Sequence, residues 1–106
     1  MPRTLPAVSV VFVAILGGCA ALDAHENFKD IMQGDVGKSV DDPYLTRNQY
    51  RNRLVSTRLL PNGNVEEEYK TGRGLRCRSF FELDQKSGKV ADWRYEGTKD
   101  DCAIVP

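Results

Sequence analysis

Two runs in which apolar and polar residues alternate, 54–60 and 65–71, flank the dipeptide Asn62-Gly63. That arrangement is the strongest short-range signal for a β-hairpin, because a type I′ turn needs positive φ at both central positions. Gly72-Arg73-Gly74 offers a second turn, and a third strand over 75–83 turns through Asp84-Gln85-Lys86-Ser87-Gly88 into a fourth over 89–97. The pattern predicts a four-stranded antiparallel meander. Pairing Leu60 with Val65, Thr71 with Leu75 and Leu83 with Lys89 sets one register for all three hairpins. It places Leu54, Leu60, Val65, Tyr69, Leu75, Cys77, Phe81, Leu83, Ala91, Trp93 and Tyr95 on one face. Glu67 is the misfit: it falls on that apolar face, opposite Arg58.

The residues ahead of the sheet read as helical only in places. Asn27 is positioned to cap a short helix in which Phe28, Ile31 and Met32 recur at helical spacing and Gly34 stops the run. Asp41-Asp42-Pro43 breaks any helix continuing through Val40. A second helical turn is expected over 46–51 with Thr46 as its cap, while Tyr44, Leu45 and Tyr50 plug the edge of the core. The expected fold class is therefore α+β, one or two short helices packed on the meander. With 106 residues there is room for one small domain, and the core is small enough for a covalent staple to matter.

The first nineteen residues belong to a different kind of segment. Met1-Pro2-Arg3-Thr4 gives a basic start, 5–16 is apolar, and Gly17-Gly18 supplies small residues before Cys19. These are the parts of a secretory signal, and the apolar run is short of the ~20 residues that span a bilayer. Leu16-Gly17-Gly18-Cys19 resembles the lipobox of bacterial lipoprotein precursors. The resemblance implies cleavage after residue 18, a diacylglyceryl thioether on Cys19 and an acyl chain on its new amino group, a set that anchors stably. Ala20 in the second mature position resembles the sorting pattern of the outer membrane in a Gram-negative host. The expected layout is a signal peptide over 1–18, a lipidated tether over 19–27 and a domain over 28–106.

With Cys19 taken by lipid, Cys77 and Cys102 remain as an even pair in an oxidising compartment, where such pairs usually close. Their bridge encloses about 26 residues, worth roughly 3.5 kcal/mol in the chain-entropy view. Two cysteines and one histidine make no four-ligand zinc site.

Charge excludes more than it suggests. Fifteen basic residues face fifteen acidic ones, and loss of 1–18 removes only Arg3, so no field favours nucleic acid. The sole histidine, His25, lies in the expected tether with nothing to hold it against a nucleophile. Asp41-Asp42 and Asp100-Asp101 lack the spacing of an EF-hand loop and read as solvated turn acids. Glu66-Glu67-Glu68 reads as a strand edge paired with arginines, and Gly37-Lys38-Ser39 lacks the strand and glycine-rich turn of a phosphate loop. No catalytic residue, metal site or cofactor is expected. The candidate binding surface is the basic segment 47–58, with Arg47, Arg51 and Arg53 interleaved with Tyr44 and Tyr50, suited to an anion, a glycan strand or an acidic partner.

The order of parts is similar to small outer-membrane lipoproteins of the SmpA/OmlA (BamE-like) class. The likeness rests on the lipobox at Cys19, a short helix ending near Gly34 and a last hairpin reading Phe80-Phe81-Glu82-Leu83-Asp84 and Gly88-Lys89-Val90-Ala91-Asp92-Trp93. The Gly-Met-Thr helix start and Leu-Gly-x-Pro segment of that class are missing here, so its partner-binding residues are not carried over. The anchor, the compact α+β domain and the lack of catalytic parts in the sequence lead to the expectation of a non-enzymatic interaction or assembly accessory of the envelope, working through a protein partner. A small anion- or glycan-binding module on segment 47–58 is the alternative.

Overall fold

The computed structural model describes residues 23–106. Helix α1 (Ala24–Gln33) is followed by a short helix α2 (Thr46–Gln49), a 3-10 turn (Arg51–Arg53) and strands β1 (Leu54–Leu59), β2 (Val65–Thr71), β3 (Cys77–Asp84) and β4 (Lys89–Glu96). The strands form one antiparallel sheet in the order β1-β2-β3-β4, so the fold is an α+β meander.

Helix α1 starts earlier than the sequence pattern suggests. Asp23, not Asn27, is the cap: its Oδ1 accepts the Glu26 N–H at 2.7 Å. Residues 24–27, expected in the tether, are the first turn of the helix. The C-terminal segment holds them there, since the Ile104 N–H donates to the Ala24 carbonyl at 2.9 Å and Asn27 Nδ2 donates to the Ile104 carbonyl at 3.0 Å. His25, Phe28 and Met32 form the buried stripe. Phe28 meets Trp93 and Tyr95 edge-on, with ring centroids 5.9 and 5.8 Å apart, the geometry in which aromatic quadrupoles attract.

The register differs from expectation at every turn, for identifiable reasons. Between β1 and β2, Leu59 pairs with Val65 and Arg58 with Glu66, one residue away from the expected match. The Gly63 N–H donates to the Leu60 carbonyl at 3.0 Å, so Pro61 and Asn62 are the central turn residues. Only Gly63 follows at positive φ, 88°. Proline favours that first central position, and the longer loop shifts the pairing. A β-bulge between Leu54 and Ser56 then shifts the pairing by one more residue, setting Leu54 level with Tyr69 where the expected register has Thr71.

Strand β3 slips by two residues against β2, and by two against the part of β4 from Asp92 onward, which leaves those side chains on their expected faces. Thr71 pairs with Cys77 because 72–76 form a wider loop. Gly72 lies against the Asp101 carbonyl, where a Cβ would collide, and Leu75 turns to positive φ in a 3-10 turn (Arg73–Leu75), off the strand. Phe81 pairs with Trp93, and a bulge between Glu82 and Leu83 on the β4 side buries Val90 in place of Ala91.

The core lies between α1 and one face of the sheet: Phe28, Met32, Leu45, Tyr69, Cys77, Phe81, Val90 and Cys102, with Trp93, Tyr95, Leu83, Val36, Val40, Tyr50 and Ile104 packed around it. The segment following α1 runs along the edge of β4. There the Gly37 N–H donates to the Val90 carbonyl at 2.8 Å and the Val90 N–H to the Lys38 carbonyl at 2.9 Å. At the opposite edge all six residues of β1 are exposed, so Leu54 does not join the core; Leu60, just past the strand, is half-buried and outside the core cluster.

Candidate functional site

Glu67 explains the fate of the basic segment. It lies on the covered face of β2, only 7 % exposed, and the residues that neutralise it come from α2 and the 3-10 turn after it. Arg47 Nε donates to Glu67 Oε1 at 2.5 Å, and Arg51 Nη1 donates both to Glu67 Oε2 at 3.1 Å and to the Tyr69 hydroxyl at 2.6 Å. The Tyr69 hydroxyl in turn donates to Glu67 Oε1 at 2.7 Å. Burial pushes the Glu67 carboxyl up, but the hydrogen bonds from Arg47, Tyr69 and Arg51 outweigh it and hold the group below its ordinary value. Tyr69 is pushed up to about 12, by burial and then by its bond to the Glu67 carboxylate.

Arg47 is therefore a correction to the expected binding surface. It is 8 % exposed and serves as an internal counter-ion, because a carboxylate on the core side of a strand needs a fixed cation nearby. The turn that delivers it is held by Asp35, 2 % exposed, whose oxygens accept the N–H groups of Thr46 at 3.0 Å and Arg47 at 2.9 Å. Thr46 is thus the first residue of α2 and not its cap; Leu45 occupies the cap position and supplies no side-chain bond. Tyr50 packs at the core edge, as does Leu45 within it, while Tyr44 is 86 % exposed. Of the three arginines singled out, Arg53 alone makes no ion pair among the described residues.

The uncovered face of the sheet is equally self-satisfied. Arg58 Nη2 and Arg94 Nη2 reach Glu66 Oε1 at 2.8 and 3.1 Å, and Arg94 lies 3.7 Å over the Phe80 ring. Arg94 and Arg58 hold Glu66 below its ordinary value against a smaller opposing effect of burial. Arg78 pairs with Glu68 at 3.3 Å. Each member of the run 66–68 thus has its own arginine, while Glu82 and Asp92, opposite each other at one end of the shallow furrow floored by Phe80, make no ion pair among the described residues.

At the other end of the molecule Cys77 and Cys102 form a disulfide, with Cα atoms 5.0 Å apart. His25, expected in the tether, is 7 % exposed beside it. Its Nδ1 lies 2.7 Å from the Cys102 carbonyl and so donates, leaving Nε2 to accept from the Tyr95 hydroxyl at 3.3 Å. Both nitrogens are engaged with the fold, which makes this imidazole a fastener of α1 to the C-terminal segment.

Among the described residues no cluster of three or more His, Cys, Asp or Glu is placed to hold a metal ion, and no helix is long and apolar enough to cross a membrane. The segment 1–18 expected to be a signal peptide, and Cys19 expected to carry lipid, lie outside the described residues.

What does stand free is β1. Leu54 is 39 %, Val55 44 % and Leu59 71 % exposed, and among the described residues no strand pairs with the outer edge. The sequence pattern places Leu54 on the apolar face, but alternation alone marks a strand's two faces without saying whether anything covers them. Comparison with protein-family models, curated proteins and solved structures finds no match to this chain.

Proposed function

We propose that this chain is a lipid-anchored lipoprotein of the periplasmic face of the outer membrane. In this reading it is a non-enzymatic interaction or assembly accessory that receives an extended segment of a partner protein along β1. The single observation that carries the docking role is the edge strand: six residues long, exposed throughout, with Leu54, Val55 and Leu59 presented beside its free edge. Such an edge is a template for strand addition, which natural proteins block or use. The other edge of the sheet is already occupied near Val90 by 37–40.

The anchor is supported by the signal pattern over 1–18 and the lipobox-like Leu16-Gly17-Gly18-Cys19. The disulfide suits the oxidising compartment to which that signal leads. The layout resembling the SmpA/OmlA class points the same way. The alternative of an anion or glycan site on segment 47–58 has lost its main support, because Arg47 and Arg51 are committed to Glu67.

Intact mass of the membrane-extracted protein tests the anchor: the expected species begins at Cys19, carries acyl chains and, its disulfide being closed, is two hydrogens lighter than the dithiol form. The docking role is tested with photo-cross-linkers at Val55 and Leu59 in the acylated chain, with Lys86 as the control. The expected outcome is one cross-linked envelope protein, lost on Leu59→Lys without loss of the fold. Binding of that protein should also protect the β1 amides from hydrogen exchange. Cross-links no stronger than at Lys86, or unprotected β1 amides in the complex, would overturn it.

A further inference from the structure

The point at which the chain leaves the domain toward Cys19 is held firmly. Asp23 caps α1, the Ala24 carbonyl accepts from Ile104, and His25 donates to the Cys102 carbonyl, so the first helical turn is tied to the disulfide corner. Between Cys19 and Asp23 there are only Ala20, Ala21 and Leu22. A fully extended chain covers at most ~3.6 Å per residue, so those four steps reach no more than about 14 Å.

Resting on the reading that Cys19 is acylated, we infer that this corner is the lipid-facing surface of the domain. Beside the exit point a cleft is formed by Asp23, His25, Arg73, Lys99 and Asp100. Arg73, Lys99, Asp23 and Asp100 are all exposed. Two cations and two carboxylates side by side match a zwitterionic phospholipid headgroup, the cations meeting its phosphate and the carboxylates its ammonium. A surface so balanced needs no anionic lipid: the leash sets the distance, and the charges make the contact compatible.

The turn between β3 and β4, which holds Lys86, lies at the opposite end of the sheet from the disulfide, a strand of eight residues away. At ~3.3 Å per residue that is about 25 Å. Edge strand β1 begins at the lipid end, since Leu54 is level with Tyr69, close to Thr71 and its partner Cys77. A partner segment added to β1 would therefore extend away from the membrane along this axis.

The test uses the acylated full chain in vesicles of zwitterionic phospholipid with a nitroxide on a fraction of the headgroups. A fluorophore is placed at residue 99 or 86 through Lys99→Cys or Lys86→Cys, and acylation is first verified by intact mass. Expected is strong quenching at 99 and little at 86, unchanged when anionic lipid is added. A Gly-Ser insert of about twelve residues after Ala21, with a mean span near 20 Å, should bring the signal at 99 down toward that at 86. Equal or reversed quenching, or quenching at 99 that survives the insert undiminished, overturns the inference while leaving the anchor intact. A chain with no acyl group overturns both.

Discussion

Glu67 shows how one residue can look like an error in a pattern and be a structural centre. An acid on the core side of a strand is tolerated because Arg47, Arg51 and the Tyr69 hydroxyl satisfy both of its oxygens. Glu67→Ala leaves the Arg47 guanidinium buried without a counter-ion and should cost about 3 kcal/mol, read from urea unfolding. Acid pH should erode the same contribution. Glu66 and Glu67 both ionise below the ordinary value of 4.5 in the fold, so as pH falls past 4.5 the unfolded chain takes up protons first. Their stabilisation is complete above that value and is lost as pH drops through the depressed folded values. Unfolding curves between pH 6 and 3 should decline less steeply for Glu67→Gln than for the wild type; parallel curves would reject this account. Nothing in the spacing of 47–67 reveals the pairing, because it joins residues twenty apart that only the packing of α2 on β2 brings together.

Helix α1 carries the same lesson at the next scale. Its apolar stripe is legible, since Phe28 and Met32 lie at the spacing of one helical face, and so is its stop at Gly34. Its start is not, because Asp23 and Asn27 are both good caps by residue type and the choice is made by Ile104 at the far end of the chain. Asp23→Ala should lower stability by about 1 kcal/mol, the usual value of a lost cap. It should also raise amide exchange in the first turn, measurable by mass spectrometry; unaltered exchange there would mean that the tie to Ile104 holds the turn unaided. The four strands are likewise legible as strands. Their pairing is off by one residue where Pro61 takes over the turn, and by two where the loop over 72–76 widens.

For the molecule as a whole, the disulfide is the long-range constraint that a core of this size relies on. It joins the start of β3 to the segment that pins α1, across a separation of 25 residues. Closing such a loop restricts the unfolded chain, so Cys77→Ser with Cys102→Ser should cost about 3.5 kcal/mol. The urea midpoint of the wild type in reductant should fall to that of the double variant; a midpoint insensitive to both would show that the bridge adds nothing. The bridge also fixes Cys102, whose carbonyl accepts from His25 of α1, and Ile104 two residues on, which bonds to Ala24 and Asn27, so its loss should loosen the exit of the chain as well as the sheet. Sequence by itself determined the α+β class and the number and order of strands, because these follow from periodicity and residue chemistry over a few neighbours, and it singled out Cys77 and Cys102 as the pair that closes. Tertiary structure decided the rest: that the arginines of 47–51 turn toward Glu67, that among the described residues nothing covers β1, and that the helix begins four residues sooner. Each of these depends on what lies across the fold from a residue, and alternation along a chain carries no information about what faces it.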